Sequence, residues 1–126
     1  FQRVQGAAKS GLFQFLGHLD LIKVFNFRPA TDVVELVTPT LEVIAEEDIA
    51  IEINTNGRNK PANEFYPSRD ILEKAYQLGI KVTMSSDAHR ASRVGENLAE
   101  VREMLLDIGY QEIATFKDQS RKMIKL

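Results

Sequence analysis

Beyond Gly11 the chain alternates short apolar runs of strand period with longer amphipathic stretches of helical period. Leu12 to Leu16 reads as a first strand, leading into Gly-His-Leu-Asp. Thr38-Pro39 reads as an N-cap residue followed by proline at the first helical position, opening a helix that runs to about Glu47. Residues 49 to 54, IAIEIN, form a second strand, and the polar loop TNGRNKPANEFYP follows it. Ser68 caps a helix over Arg69 to Leu78, which Gly79 closes in the left-handed conformation that glycine adopts cheaply. Lys81 to Ser85 is the third strand. A loop, DAHRASRVG, leads to a helix from Glu96 to Asp107, and Gly109 precedes a last strand near Glu112 to Phe116. The opening FQRVQGAAKSG has the composition of the last turns of a helix. Four strands with three intervening helices predict an α/β fold with a parallel sheet and crossover helices.

Strand phase links the polar positions. Ile49, Ile51 and Ile53 share one face, leaving Ala50, Glu52 and Asn54 on the other. Val82 and Met84 lie opposite Thr83, Ser85 and Asp87, and His89 continues the phase of Asp87. In the first strand Phe13 and Phe15 lie opposite Gln14, whose phase reaches His18 and Asp20. Each strand thus has an oily side for helix packing and a side that turns polar toward its C-terminal end, where sites form in α/β sheets and barrels. The constellation is His18, Asp20, Glu52, Asn54, Asp87 and His89. Taken singly, each has a plainer reading: a capped histidine, an edge carboxylate, or turn chemistry in Asn54-Thr55-Asn56-Gly57. Both histidines of the chain nevertheless stand two residues from an aspartate at a strand end. Phe13, Phe15, Phe25 and Phe27 read as core packing, and Arg90 and Arg93 as solvated loop charges.

Composition narrows the chemistry. A chain of 126 residues fits one domain and buries roughly two thirds of its unfolded surface. Sixteen Lys and Arg against eighteen Asp and Glu give a formal net charge of -2, so no basic nucleic-acid groove is indicated. Without cysteine there is no disulfide, thiolate zinc site or cysteine nucleophile. A metal must be held by His, Asp, Glu or Asn. No apolar stretch approaches the roughly 18 residues of a membrane span, and no signal-peptide pattern opens the chain, so a cytoplasmic location is expected.

GHLDLIK, EINTNG, KPANEFYPS and SSDAHR, followed by VG and LDIGY, resemble in order and spacing the successive motifs of the PHP-type histidinol-phosphatases, along essentially the whole chain. The resemblance implies the C-terminal half of a distorted seven-stranded β/α (TIM-like) barrel, with residues 1–126 forming one partial domain. The N-terminal half, with its H-x-H motif and further His and Glu ligands, is then absent, and the opening helix reads as that of a fragment. It further implies that His18, Asp87 and His89 are ligands of divalent zinc, manganese or iron, up to three ions in the complete enzyme. Asp20 resembles the residue that protonates the leaving oxygen. Arg58 resembles a phosphate-binding arginine, with Lys60 as the alternative, and Asn54 and Glu52 border the substrate. Glu52 has three roles open to it: metal ligand, partner of a ligand, or contact for a substrate amine.

The implied activity is hydrolysis of L-histidinol phosphate, a small phosphate monoester, in histidine biosynthesis. Two other readings stand beside it. One is a PHP-superfamily phosphoesterase acting on nucleotides or nucleic-acid ends, against which KPANEFYPS argues, and the other is a non-catalytic half-barrel module. Neither a membrane nor a nucleic acid is an expected partner. The open edge of a half barrel exposes unpaired strand backbone, so self-association through that edge is a further expectation.

Overall fold

A computed structural model describes residues 1–126. The order is α1 (Gln2–Lys9), β1 (Phe15–Leu16), α2 (Val33–Glu46), β2 (Ala50–Asn54), α3 (Arg69–Gln77), β3 (Val82–Ser85), α4 (Leu98–Ile108), β4 (Glu112–Lys117) and β5 (Ser120–Lys125). Short 3-10 turns at Leu21–Lys23, Thr55–Asn59 and Ala91–Arg93 follow the first three strands. β1, β2 and β3 form a parallel sheet in that order, with Phe15 opposite Ala50 and Ile51 opposite Val82. Parallel neighbours need long crossovers, and α2 and α3 supply them.

The core lies where those helices meet the sheet. Val37, Leu41 and Ile44 of α2, Ile71 and Leu72 of α3, and Val101 and Leu105 of α4 pack with Ile51, Ile53 and Val82 in one cluster. Each is fully buried, and burying such a side chain contributes about 1.5–3 kcal/mol. All five residues of β2 are buried, so the middle strand is covered on both faces. The face that carries Glu52 and Asn54 is therefore an interior one, and Glu52 is not an edge carboxylate.

Several expected boundaries move. β1 is only two residues long, because register with β2 begins at Phe15 and only the Gln14 carbonyl, accepting from Ala50 N at 3.3 Å, reaches that strand before it. α2 starts at Val33 and not after Thr38: the Asp32 carboxylate accepts from Val34 N at 2.7 Å and Glu35 N at 3.4 Å, and Pro39 lies inside the helix. Burial of the Val37-Leu41-Ile44 stripe outweighs the one backbone bond that an exposed proline removes. The last strand leaves the parallel sheet. β4 pairs antiparallel with β5, a strand absent from the sequence reading, through Asp118 and Gln119 at φ +50 and +62. Two central residues at positive φ make the mirror-image turn that matches strand twist, but Asp-Gln lacks the glycine that usually signals it.

The phenylalanines are the largest correction. Phe13, Phe15, Phe25 and Phe27 are all exposed, Phe25 at 81%. Residues 11 to 27 carry them along β1, an edge strand, and the 3-10 turn beyond it, where no helix of this chain packs over them. Only Phe15 has an aromatic neighbour, Phe116, at 5.2 Å between ring centres.

Candidate active site

The ends of the three parallel strands converge on His18. Its Nδ1 is 3.4 Å from Glu52 Oε2 and its Nε2 is 3.5 Å from Asp87 Oδ2. Strand alternation does not produce this. β1 ends at Leu16 and β3 at Ser85, and His18 and Asp87 then take left-handed backbone at φ +54 and +45. That region is tolerated mainly by Asn, Asp and His, and both residues are of that kind. Gly17 completes the approach, since a Cβ there would stand 2.8 Å from Glu52 Oε2.

Two asparagines orient the group. The Asn54 Oδ1 atom accepts from Asn56 N at 2.9 Å, so its Nδ2 is the atom facing His18 Nε2 at 3.1 Å. A donor at Nε2 leaves that nitrogen as the acceptor and puts the ring proton on Nδ1, toward Glu52. Asn56 Nδ2 donates to Asp87 Oδ2 at 3.2 Å. Although burial pushes the Asp87 carboxyl up, these amides and the two histidines hold it below the usual range. His89 Nδ1 donates to the backbone oxygen of Asp87 at 2.8 Å and lies 3.9 Å from Asp87 Oδ1. Its Nε2 is thereby left with a free lone pair on a largely exposed ring. Both histidines thus flank one carboxylate.

Asp20 lies deeper, 2% exposed. Its Oδ2 takes Lys23 Nζ at 2.7 Å and the Ser68 backbone N–H at 3.0 Å, while Oδ1 has no partner. Burial raises its carboxyl pKa against the pull of Lys23 and Ser68. The Lys23 ammonium also donates to Glu64 at 3.0 Å and to the Phe65 carbonyl at 2.7 Å, which uses all three of its protons.

Tyr66 pairs in both directions with the Asn54 backbone, at 2.7 and 3.1 Å, which sets its buried ring 6.2 Å from that of His18. The Tyr66 hydroxyl is a further buried polar atom without a hydrogen bond, and Glu52 Oε2 has only the 3.4 Å approach of His18 Nδ1.

The phosphate-binding candidates stand apart from this group. Arg58 lies over the Phe65 ring at 4.6 Å, pairs with Glu100 and reaches the Asn63 carbonyl. It lines a cavity of about 460 Å³ with Glu64, Arg69, Asp70 and Glu100. Lys60 is exposed just past the same 3-10 turn. Asn56 and Lys23 are not singled out as site residues by their sequence context, whereas Tyr66, beside Pro67 in a loop expected to reach the site, is an open case there. The period of two in Asn54-Thr55-Asn56 and the i, i+3 spacing of Asp20 and Lys23 were the available signals.

A donor-set test bears on metal binding. His18 Nε2 and Asp87 Oδ2 stand 3.5 Å apart, a spacing that suits two ligands of one ion at about 2.0–2.2 Å each once the ion displaces the Asn54 amide proton from Nε2. No group of three or more His, Cys, Asp or Glu side chains stands in metal-holding geometry. The residues present fit part of a metal site.

A Deinococcus radiodurans protein named "Probable histidinol-phosphatase" is 39% identical over 120 residues, which cover 95% of this chain and 44% of that protein. The chain is thus homologous, along nearly its whole length, to part of a protein of that name. The Lactococcus lactis histidinol-phosphatase is 30% identical over 90% of the chain and 45% of its own length. A Thermotoga maritima relative, also named "Probable histidinol-phosphatase", is 30% identical over 81% of the chain and 44% of its own length. The chain therefore spans less than half the length of each histidinol-phosphatase it matches. No family model matches it.

Proposed function

We propose that this chain carries part of the active site of a metal-dependent phosphatase that hydrolyses L-histidinol phosphate, and that its parallel sheet is half of a barrel. The observation that carries the reading is the His18–Asp87 pair, with Glu52 beside it, in a chain homologous to proteins named for that reaction. Phosphate monoesters are among the slowest substrates to hydrolyse, so stabilisation on the order of 20 kcal/mol is required. Divalent zinc, manganese or iron, when bound, supplies an activated water and neutralises phosphoryl charge.

The chain's own residues do the rest. His18, Asp87 and His89 offer Nε2, a carboxylate oxygen and Nε2 to the cation, and Asn54 and Asn56 fix their orientation. Asp20, with Oδ1 unpartnered beside the Lys23 ammonium, is the carboxyl group that passes a proton to the departing oxygen. Arg58 exchanges Glu100 for a phosphoryl oxygen, or Lys60 reaches it instead. Glu52 serves the His18 Nδ1 proton or the substrate amine.

Calorimetric titration of zinc and manganese into the 126-residue chain tests the site. Weak binding is expected from the unaltered chain, with at least tenfold loss in His18→Ala and Asp87→Asn. Equal binding by all three would remove the assignment. Phosphate release from L-histidinol phosphate, nucleotides and a general aryl phosphate tests the substrate. Slow turnover with preference for histidinol phosphate is expected, and preference for nucleotides would reassign it.

A further inference from the structure

Two glutamates at the start of α4 clasp the turn that carries Arg58, and they do so differently. Glu96, just before the helix, is tied in three ways. Its backbone oxygen accepts from Thr55 Oγ1 at 2.7 Å, and its Oε2 accepts from Asn59 Nδ2 at 3.0 Å and from Arg93 Nε at 2.9 Å. Those bonds hold the Thr55–Asn59 turn against α4 whatever the Arg58 side chain does. Glu100, in the first turn of the helix, has a single partner, the Arg58 guanidinium.

Arg58 is arranged to exchange that partner. Its guanidinium carbon lies 4.6 Å from the centre of the Phe65 ring, which is buried, and its Nη1 reaches the Asn63 carbonyl only at a long 3.4 Å. A planar fork with five N–H donors is thus supported on its face by a fixed ring, and its edge is left to whichever oxygens stand nearest. Glu100 supplies one of them. The two side chains are 38% and 53% exposed, and pairs of that exposure contribute little. A phosphate dianion brings two charges and a bidentate edge to the same guanidinium, so it displaces a single carboxylate. The adjoining cavity of about 460 Å³ gives the displaced side chain room to move.

We infer that Glu100 is an internal competitor for Arg58, a residue that sets how tightly the chain takes a phosphate group without touching that group itself. The inference rests on the phosphate-binding role of Arg58 and adds the group that opposes it. Because the pair is exposed, Glu100 lowers the affinity by a small factor and does not block binding. The same carboxylate recaptures the guanidinium when inorganic phosphate departs.

The test titrates inorganic phosphate, at a pH where it is a dianion, into the metal-free 126-residue chain at fixed ionic strength. The amide resonances of residues 55–59 report binding. Glu100→Gln should bind phosphate about two- to fivefold more tightly than the parent, the factor that a weak exposed pair represents. Glu42→Gln, the same loss of charge at an exposed position of α2, should leave the affinity unchanged. Arg58→Ala should weaken binding and should erase the gain when combined with Glu100→Gln. Equal affinity in Glu100→Gln and the parent, including no binding by either, would overturn the inference, as would an equal gain in Glu42→Gln. A lowered Tm for Glu100→Gln with unchanged phosphate affinity would make Glu100 a structural staple, and would overturn it too. If Arg58→Ala weakens binding while Glu100→Gln changes nothing, the competitor fails and the phosphate-binding arginine stands. If Arg58→Ala binds as the parent does, the arginine assignment falls and the inference with it.

Discussion

A methyl group on Gly57 would stand 2.0 Å from the backbone oxygen of Glu64 and 3.0 Å from the Tyr66 ring. Gly57 is not at positive φ, so its freedom of rotation is not what the site uses. What matters is close approach of the Thr55–Asn59 turn to the segment that seats Tyr66 against Asn54. Gly57→Ala should therefore destabilise the chain by at least about 1–3 kcal/mol, since the obstacle is backbone. Urea unfolding measures it, and a loss below about 0.5 kcal/mol would show that the turn can relax. The turn chemistry that Asn54-Thr55-Asn56-Gly57 offers in sequence is present, but close approach and not positive φ is what Gly57 supplies. Which residues come together was legible in part, for His18, Glu52, Asn54 and Asp87 do meet. The reason offered, alternation along a strand, was not the operative one, because His18 and Asp87 lie past the strand ends in left-handed backbone. Alternation says nothing about residues beyond the last ladder hydrogen bond.

Among the elements, α2 shows where local signals mislead. Thr38-Pro39 has the form of a helix start, yet the helix begins a turn and a half earlier at an Asp32 cap. Pro39 sits on the exposed face, so its ring packs against nothing in the core. Pro39→Ala should restore a backbone bond without removing buried surface, raising stability by about 1–3 kcal/mol. Thermal unfolding checks this, and a lower Tm would mean that the proline holds the helix in a bend the packing needs. α3 and β2 were nearly right because apolar periodicity, Gly79 and the IAIEIN run all agree there. The β4–β5 hairpin was missed in part because its turn carries Asp-Gln in place of a glycine pair.

At the scale of the whole molecule, one aspartate fastens the hairpin to the parallel layer. Asp48, between α2 and β2, binds Lys81 Nζ at 2.5 Å, and Arg121 of β5 donates to its carboxylate and, at 2.7 Å, to its backbone oxygen. Hydrogen bonds from Lys81 and then from Arg121 hold the Asp48 carboxyl below the usual range. A depressed folded-state pKa stabilises above the unfolded value near 3.9, and that contribution fades as pH falls through the folded value. Asp48→Asn should lower the Tm at pH 7, modestly because the carboxylate is half exposed. The gap between variant and parent should narrow as pH drops below about 4. A gap constant from pH 7 to pH 3 would assign the contribution to the Arg121 bond with the backbone oxygen alone.

The sequence by itself determined the α/β alternation, the polar ends of the strands and the residues that meet there, because periodicity and turn chemistry act over a few residues. Only the tertiary structure decided which strands share a sheet, that Lys23 reaches Glu64, that Arg58 pairs with Glu100, and that four phenylalanines face outward. Those outcomes depend on which surfaces come into contact across forty or more residues, and an apolar side chain reads the same in sequence whether or not a neighbour arrives to cover it.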